Sequence, residues 1–432
     1  MSKFSRITDS LYHKITDMKP YKRGELMILE SQLGDHPESN VSYVAAFPKQ
    51  VIQVNGDKVT WRRGDTTVLE ERRENTWHLF DQFCDDAGWA FGYLGYDVQA
   101  PGTPEGHMQN RRIYEAPDLW FMDPGLLFKI DKYGVKQLRG EPITITPENN
   151  REGLYQIGDL SCGVTRESFL SAIDEIRNLI AEGDFYELNF SYPIVAEFEG
   201  DSFGLYRNMR RVNPVPFACY AELDAVSICC ASPERFLRKE GQRVFSEPIK
   251  GTAARGANEA EDAAFKLELK SEKNEAENLM IVDLVRHDLS RVCKPGSINV
   301  SKLFEVQTFS TVHQLISRVE GRVNSDLRVG EIIRACFPMG SMTGAPKRRV
   351  MQRISELESF RRGIYSGAIG YVTPDHDFDF NVVIRSAIIQ NERLCYPVGG
   401  AITSDSDPAK EWEETQVKAG VLKAVQKLQN VK

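Results

Sequence analysis

The run 186–192 alternates without exception, with Tyr186, Leu188, Phe190 and Tyr192 on one side and Glu187, Asn189 and Ser191 on the other. Successive side chains of a strand point to opposite faces, so this register predicts a strand with one wholly polar face. Such a face either meets water or lines a pocket, and it ties the chain to a fold built on sheets. Strand signals recur ahead of it. Residues 26–30, 41–47, 50–54 and 59–63 are short apolar or alternating runs separated by Gly, Asn and Pro, and Asn55-Gly56 is a hairpin turn. Trp77, Phe80, Phe83 and Cys84 stand at helical spacing over 76–87, and Gly88 stops that helix. Residues 89–96 return to strand, 101–112 read as a polar loop, and 119–131 with 134–138 read as a second hairpin. The aperiodic stretch 141–158 is the expected boundary between a strand-rich domain, 1–158, and a second domain, 159–432.

The second part opens on a helix capped by Thr165, with Phe169, Ile173, Ile176 and Ile180 as its apolar face and Gly183 as its end. Strands over 217–223 and 226–231 lead into Ser232-Pro233-Glu234-Arg235, and a strand over 243–249 delivers Lys250. A polar, Ala-rich linker and a helix over 271–292 follow. The glycine-rich loop 340–347, whose Pro346 suits a helix start, does not have phosphate-loop spacing, but its N–H groups can hold a carboxylate. A hairpin over 365–373 and 378–390, a strand over 394–400 and a final helix from Asp407-Pro408 complete the chain.

A chain of 432 residues suffices for two domains or one large interwoven one, and a net charge of −8 without a basic stripe argues against nucleic-acid binding. No apolar run is long enough to span a bilayer, and 1–20 lacks a signal-peptide core. Eight scattered cysteines without a CxxC pair fit reduced, buried thiols in the cytoplasm.

Four features carry chemistry. Lys250 stands at a strand end between Ile249 and Gly251-Thr252; burial there lowers the pKa of an ammonium and yields a nucleophilic amine, the alternative being a surface lysine in a turn. Glu277 shares a helical face with Ile281, Leu284 and Asp288, so its carboxylate is paired or ligates something. Glu411, Glu414 and Lys418 share a face that continues into Leu422 and Val425. Arg385, inside the apolar run 382–389, needs an anion, either an internal carboxylate or a ligand. Two carboxylates with open positions suit Mg²⁺, and the arginine with the loop N–H groups suits a small polyanion such as a dicarboxylate.

At these residues the sequence resembles the chorismate-utilising enzymes, which include anthranilate, aminodeoxychorismate, isochorismate and salicylate synthases. The resemblance rests on Ser232-Pro233-Glu234-Arg235, Pro248-Ile249-Lys250-Gly251-Thr252, Ala276-Glu277-Asn278-Leu279, Gly344-Ala345-Pro346-Lys347, Gly367-Ala368-Ile369-Gly370-Tyr371, Val383-Ile384-Arg385-Ser386-Ala387 and Asp405-Ser406-Asp407-Pro408, in the family's order over 165–428. Leu29-Glu30-Ser31 and Gly92-Tyr93-Leu94-Gly95-Tyr96 extend it more weakly into the first half. It implies an α/β (α+β) fold of two large, mostly antiparallel sheets packed as a sandwich with flanking helices, like that of anthranilate synthase component I.

The resemblance also implies roles. Glu277 and Glu414, with Glu411 behind them, would bind Mg²⁺. Tyr365 and Arg385 would hold the enolpyruvyl carboxylate, while Gly251, Thr252, Thr343, Gly399, Gly400 and Ala401 would line the substrate and Lys418 would stand near its carboxylate. Glu234 would protonate the departing C4 hydroxyl, and His313 would stand near C2. Ser31, Pro214, Val215 and Pro216 match an effector pocket that holds tryptophan in relatives. Lysine at position 250 is similar to the branch that forms 4-amino-4-deoxychorismate, where most other branches carry alanine. Ala253-Ala254 replaces the usual arginine-proline. Glu187 replaces the usual glutamine and would sit near C2, where, if ionised, it would favour the charged lysine and serve as the local base that takes its proton during attack. The expected activity is therefore amination of chorismate at C4 through a lysine adduct at C2. Ammonia would come from a separate glutamine amidotransferase, since no such segment is fused here. An anthranilate-forming enzyme and a non-catalytic sensor of chorismate or tryptophan are the alternatives.

Overall fold

The computed structural model describes residues 3–18, 25–32, 40–98, 110–144, 153–223, 226–308 and 312–429. Most of the expected loop 101–112 and residues 145–152 of the expected boundary lie outside them, as does the side chain of Thr252.

The described strands form two antiparallel runs that share one member. The first run begins with Glu187–Gly200, which pairs along most of its length with Arg393–Ile402. It continues through Ser386–Gln390, Val226–Ser232 and Phe217–Leu223 to Glu25–Glu30 and Ser42–Asn55. The second run starts from that same strand. It passes through Leu119–Asp131, Ala90–Leu94, Ala368–Val372, Phe378–Asn381, Arg235–Glu240 and Arg243–Glu247 to Val312–Arg322 and Asn299–Thr308. Ladders such as Glu25–Glu30 on Phe217–Leu223 and Ala90–Leu94 on Ala368–Val372 therefore join 1–158 to 159–432 by hydrogen bonds.

Side-chain alternation sorts the apolar residues into two cores. One lies between the runs and gathers Ile228, Cys230 and Ile388 from the first with Phe121, Phe380, Leu237 and Val319 from the second. The other lies outside the first run, where Ile28, Cys229, Ala387 and Tyr396 meet helices bearing Phe169, Ile173, Phe203, Leu422 and Val425. Adjacent Cys229 and Cys230 thus serve opposite cores. Seven of the eight cysteines are buried, but Cys162 is exposed, contrary to expectation; all are free thiols.

Local signals explain most helices. Thr165 caps Arg166–Ala181 by accepting from the Ser168 N–H, and Asp407 caps Pro408–Lys418 with proline in the first turn. Four expectations change. The linker before 271 contains a helix, Glu259–Leu269, capped by Asn258 and carrying Glu259, Glu261 and Asp262 at its positive end. A helix also forms over Lys3–Thr16. The strand expected over 378–390 is split into Phe378–Asn381 and Ser386–Gln390, which leaves Arg385 between them in a left-handed conformation, φ 51°. The final helix breaks at Ala419 into Pro408–Lys418 and Gly420–Leu428, so Leu422 and Val425 belong to a separate segment. Among the described residues no helix is long and apolar enough to cross a membrane.

Candidate active site

A cavity of about 640 Å³ opens where the end of the strand Glu187–Gly200 meets Arg393–Ile402, Ile249–Ala254 and the helices Glu272–Ser290 and Pro408–Lys418. Its wall holds Glu234, Lys250, Gly251, Glu277, Tyr365, Arg385, Gly399, Ala401, Glu411, Glu414 and Lys418. Eleven positions singled out from sequence, spread over nearly 200 residues, meet in one place.

The polar strand face organises much of it. Glu187, almost fully buried, accepts from Lys250 Nζ at 3.1 Å through Oε1, and its Oε2 has no hydrogen-bond partner among the described residues. Asn189 donates to the Ser341 carbonyl at 3.3 Å and accepts from Ser191 Oγ at 3.1 Å. The Ser191 hydroxyl also meets the Tyr365 hydroxyl at 3.3 Å. Register does the rest, because Ser191 stands opposite Gly399 and Asn189 opposite Ala401. Beneath this face, fully buried Arg362 pairs with Glu358 and donates to the carbonyls of Met342 and Asn189. That buried network fixes the strand against the loop carrying Ser341.

Lys250 is buried, as expected, but its proton affinity moves the other way. Burial works against the charged form, and Glu187 with Glu277, 4.0 Å away, outweighs it, so the pKa rises. Burial pushes the pKa of Glu234 from 4.5 up to about 7, against the lowering effect of the Ser341 hydroxyl at 2.8 Å and of the more distant Lys250, Arg385 and Lys418, so it holds its proton well above the usual carboxylate range. The Arg385 guanidinium has no carboxylate partner among the described residues, and burial pulls its pKa down. A guanidinium held in a backbone conformation uncommon outside glycine and facing a cavity has the chemistry to take an anion. Lys418 bonds the Gly399 carbonyl at 2.7 Å and Glu414 at 2.8 Å. Gly400 leaves a cradle beside it, where an added Cβ would lie 3.6 Å from Glu411 Oε2 and 3.7 Å from Lys418 Nζ.

Among the described residues no three metal-binding side chains are grouped closely enough to enclose an ion. The donor chemistry still fits Mg²⁺. Glu277, Glu411 and Glu414 line one cavity, and Lys250 and Lys418 stand against two of them where a cation would balance the same charge. A hard ion that takes one or two carboxylates and completes its shell with other oxygens needs no more from the protein.

Two expected residues stand elsewhere. His313 is fully buried beside the cavity, because the strand Val312–Arg322 turns Gln314 into the wall and His313 away from it. Both its ring nitrogens are engaged, Nε2 with Asp262 at 2.9 Å and Nδ1 with Thr308 at 3.0 Å. Thr343 is also fully buried, its hydroxyl donating to the Met339 carbonyl at 3.0 Å. The backbone of Thr252 pairs with Gln314. Ser31 and Pro216 line a second cavity of about 80 Å³ with Tyr43, Arg238 and Asp379, while Val215 bonds Gln32. Sequence reasoning missed Ser341 and the wall supplied by Phe265, Glu268 and Leu269. Asn258 followed by three acids was the available signal for the helix that carries the latter three.

The chorismate binding enzyme family matches residues 26–424. The chain belongs to this family. Aminodeoxychorismate synthase component 1 of Klebsiella aerogenes is 31% identical over 412 residues, 90% of this chain and 91% of that protein. Aminodeoxychorismate synthase of Streptomyces griseus is 47% identical over 259 residues, 60% of this chain, and this match spans only 36% of that longer relative. Anthranilate synthase component I from Streptococcus pneumoniae TIGR4 has a similar structure, with a TM-score of 0.74 and 26% identity over 91% of this chain and 93% of that one. The mixed α/β architecture, a large antiparallel sheet system with flanking helices, is thus the family's fold.

Proposed function

We propose that the chain converts chorismate and ammonia into 4-amino-4-deoxychorismate, with the ammonia released by a glutamine amidotransferase. The observation that carries this reading is Lys250 in the cavity wall, backed by Glu187 and facing the same space as Glu234 and Arg385. Relatives named for this activity, similar along nearly the whole chain, support it.

Arg385 and Tyr365 would bind one carboxylate of the substrate, and the wall at Gly399 and Ala401 would fix the ring. The Lys250 amine, its proton passed to Glu187, forms a bond to C2; the ring double bonds shift, the C4–O bond breaks, and Glu234 protonates the departing hydroxyl to water. Ammonia then bonds to C4 and the C2–N bond breaks, returning Lys250 as the amine. Two allylic substitutions leave the ring pattern intact and place nitrogen para to the carboxylate, which a single attack at C2 does not. Mg²⁺, when held by Glu277 and Glu414 with Glu411 behind them, would supply Lewis-acid stabilisation of the ring carboxylate.

The test is product identification from chorismate, Mg²⁺ and an ammonium salt at alkaline pH. 4-Amino-4-deoxychorismate from the parent, and its loss in Lys250→Ala, is the expected result. Anthranilate from the parent, or undiminished para-amination by Lys250→Ala, refutes the reading.

A further inference from the structure

The loop between the helices Val329–Cys336 and Lys347–Leu357 carries a short 3₁₀ turn, Gly340–Met342, whose central hydroxyl stands in the cavity wall. Ser341 Oγ donates to Glu234 Oε1 at 2.8 Å, the one hydrogen bond made by that carboxyl group among the described residues. The serine is itself held. Its carbonyl accepts from Asn189 on the polar strand face, and the neighbouring Met342 carbonyl accepts from buried Arg362. Glu234 is attached just as firmly by its main chain, with its N–H on Ser232 Oγ and its carbonyl accepting from the Val382 N–H. Two rigidly mounted groups thus meet through one hydrogen bond at the edge of the space where the substrate would lie.

We propose that Ser341 is the positioning residue of the proton donor: its hydroxyl engages one carboxyl oxygen of Glu234 and leaves the other to carry the proton into the cavity. This rests on the reading of Glu234 as the acid. The chemistry is directional. A carboxyl with no fixed partner rotates and presents its proton to either side, whereas one oxygen occupied by an O–H donor must keep its proton on the other. The same bond favours the ionised form, so it limits how far burial raises the proton affinity of Glu234. The other charged groups facing Glu234 are Lys250, Arg385 and Lys418, each from a different segment, with Glu187 and Glu277 offsetting Lys250. All of them remain when the hydroxyl is removed.

The experiment is a titration of the Glu234 carboxyl in the free protein by carbon-detected nuclear magnetic resonance, paired with the pH profile of chorismate amination. In Ser341→Ala the Glu234 midpoint is expected to move up by about one pH unit. The basic limb of kcat should follow it, kcat should fall, and KM should stay within about twofold, because a positioning role acts on the proton and not on binding. Ser341→Thr, which keeps the hydroxyl, should restore the parent midpoint. An unshifted midpoint in Ser341→Ala, or Ser341→Thr titrating like the alanine variant, overturns the inference. Should the alanine chain not fold, Ser341→Cys, a weaker donor in the same place, must move the midpoint in the same direction by less, and no movement again overturns it. The titration needs no substrate. If neither chain aminates chorismate, the assigned activity fails while the Ser341 contact is still read directly.

Discussion

The Lys250–Glu187 pair makes a prediction that does not depend on any substrate. The two charges are 3.1 Å apart, with side-chain exposures of 12% and 2%. At an effective dielectric of about 20 their attraction is about 5 kcal/mol, set against a desolvation cost of similar size. The net worth of the pair is therefore small, but the cost of breaking it from one side is not. Lys250→Met removes the charge at nearly constant length and strands Glu187, whose Oε2 already lacks a partner among the described residues. That should cost about 3–5 kcal/mol of unfolding free energy. Glu187→Gln keeps an acceptor oxygen for the lysine, which still has Glu277 at 4.0 Å, and should cost about 1–2 kcal/mol. The double variant leaves no charge at position 187 and should be more stable than Lys250→Met alone, by about 2 kcal/mol or more. Guanidinium unfolding in the presence of a chelator, followed by tryptophan fluorescence and far-ultraviolet circular dichroism together, reads all four corners of the cycle. A cost below about 1 kcal/mol for Lys250→Met, or simple additivity in the double variant, would refute the idea that Glu187 is held as a buried anion by this lysine.

Other predictions follow from the same geometry. Glu234 is a carboxyl whose folded pKa lies above its usual value, so the native state holds its proton longer than the unfolded chain does, and stability falls as pH rises from 4.5 through about 7. Glu234→Gln should accordingly raise the unfolding midpoint at pH 8, by an amount worth about 3 kcal/mol, and leave it nearly unchanged near pH 4; equal effects at both ends would contradict the burial argument. Glu277→Gln and Glu414→Gln should each abolish chorismate turnover while circular dichroism stays as in the parent, and excess chelator should do the same to the parent; full activity in any of these removes the metal assignment. Gly344→Ala should fail to fold or lose several kcal/mol, because φ is 143° and an added Cβ would lie 1.9 Å from the Glu187 carbonyl oxygen. Soluble, fully stable Gly344→Ala protein would mean that this loop packs differently.

What could be read from the sequence was local. Strict alternation over 186–192 foretold a strand, and in the structure its polar members Glu187, Asn189 and Ser191 meet Lys250, Ser341 and Tyr365. Caps at Thr165 and Asp407 were legible because a short polar side chain before an apolar helical face has one economical use. His313 was not legible in the same way. Which side of a strand faces a cavity depends on register with its neighbours, and a shift of one residue exchanges His313 for Gln314. Ser341 was invisible for a related reason: a serine among glycines reads as loop chemistry until the fold brings Glu234, more than a hundred positions earlier, against it. For Lys250, burial was legible in Ile249 and Glu187 as a neighbour favouring the charged form, but not that Glu277, arriving on a helix, adds to Glu187 and tips the balance over desolvation.

The strand Ser42–Asn55, a member of both antiparallel runs, has a consequence for how the protein is made. It leaves the ribosome early, yet none of the cavity wall exists until segments some 150 to 370 residues later have been synthesised and paired. The nascent first half therefore presents open hydrogen-bonding edges at Glu25–Glu30 and Ala90–Leu94 while it waits for Phe217–Leu223 and Ala368–Val372. Folding should be slow and dependent on chaperones that shield strand edges. Expressed as two separate pieces divided near residue 158, the halves should be insoluble alone and recover a working cavity when produced together.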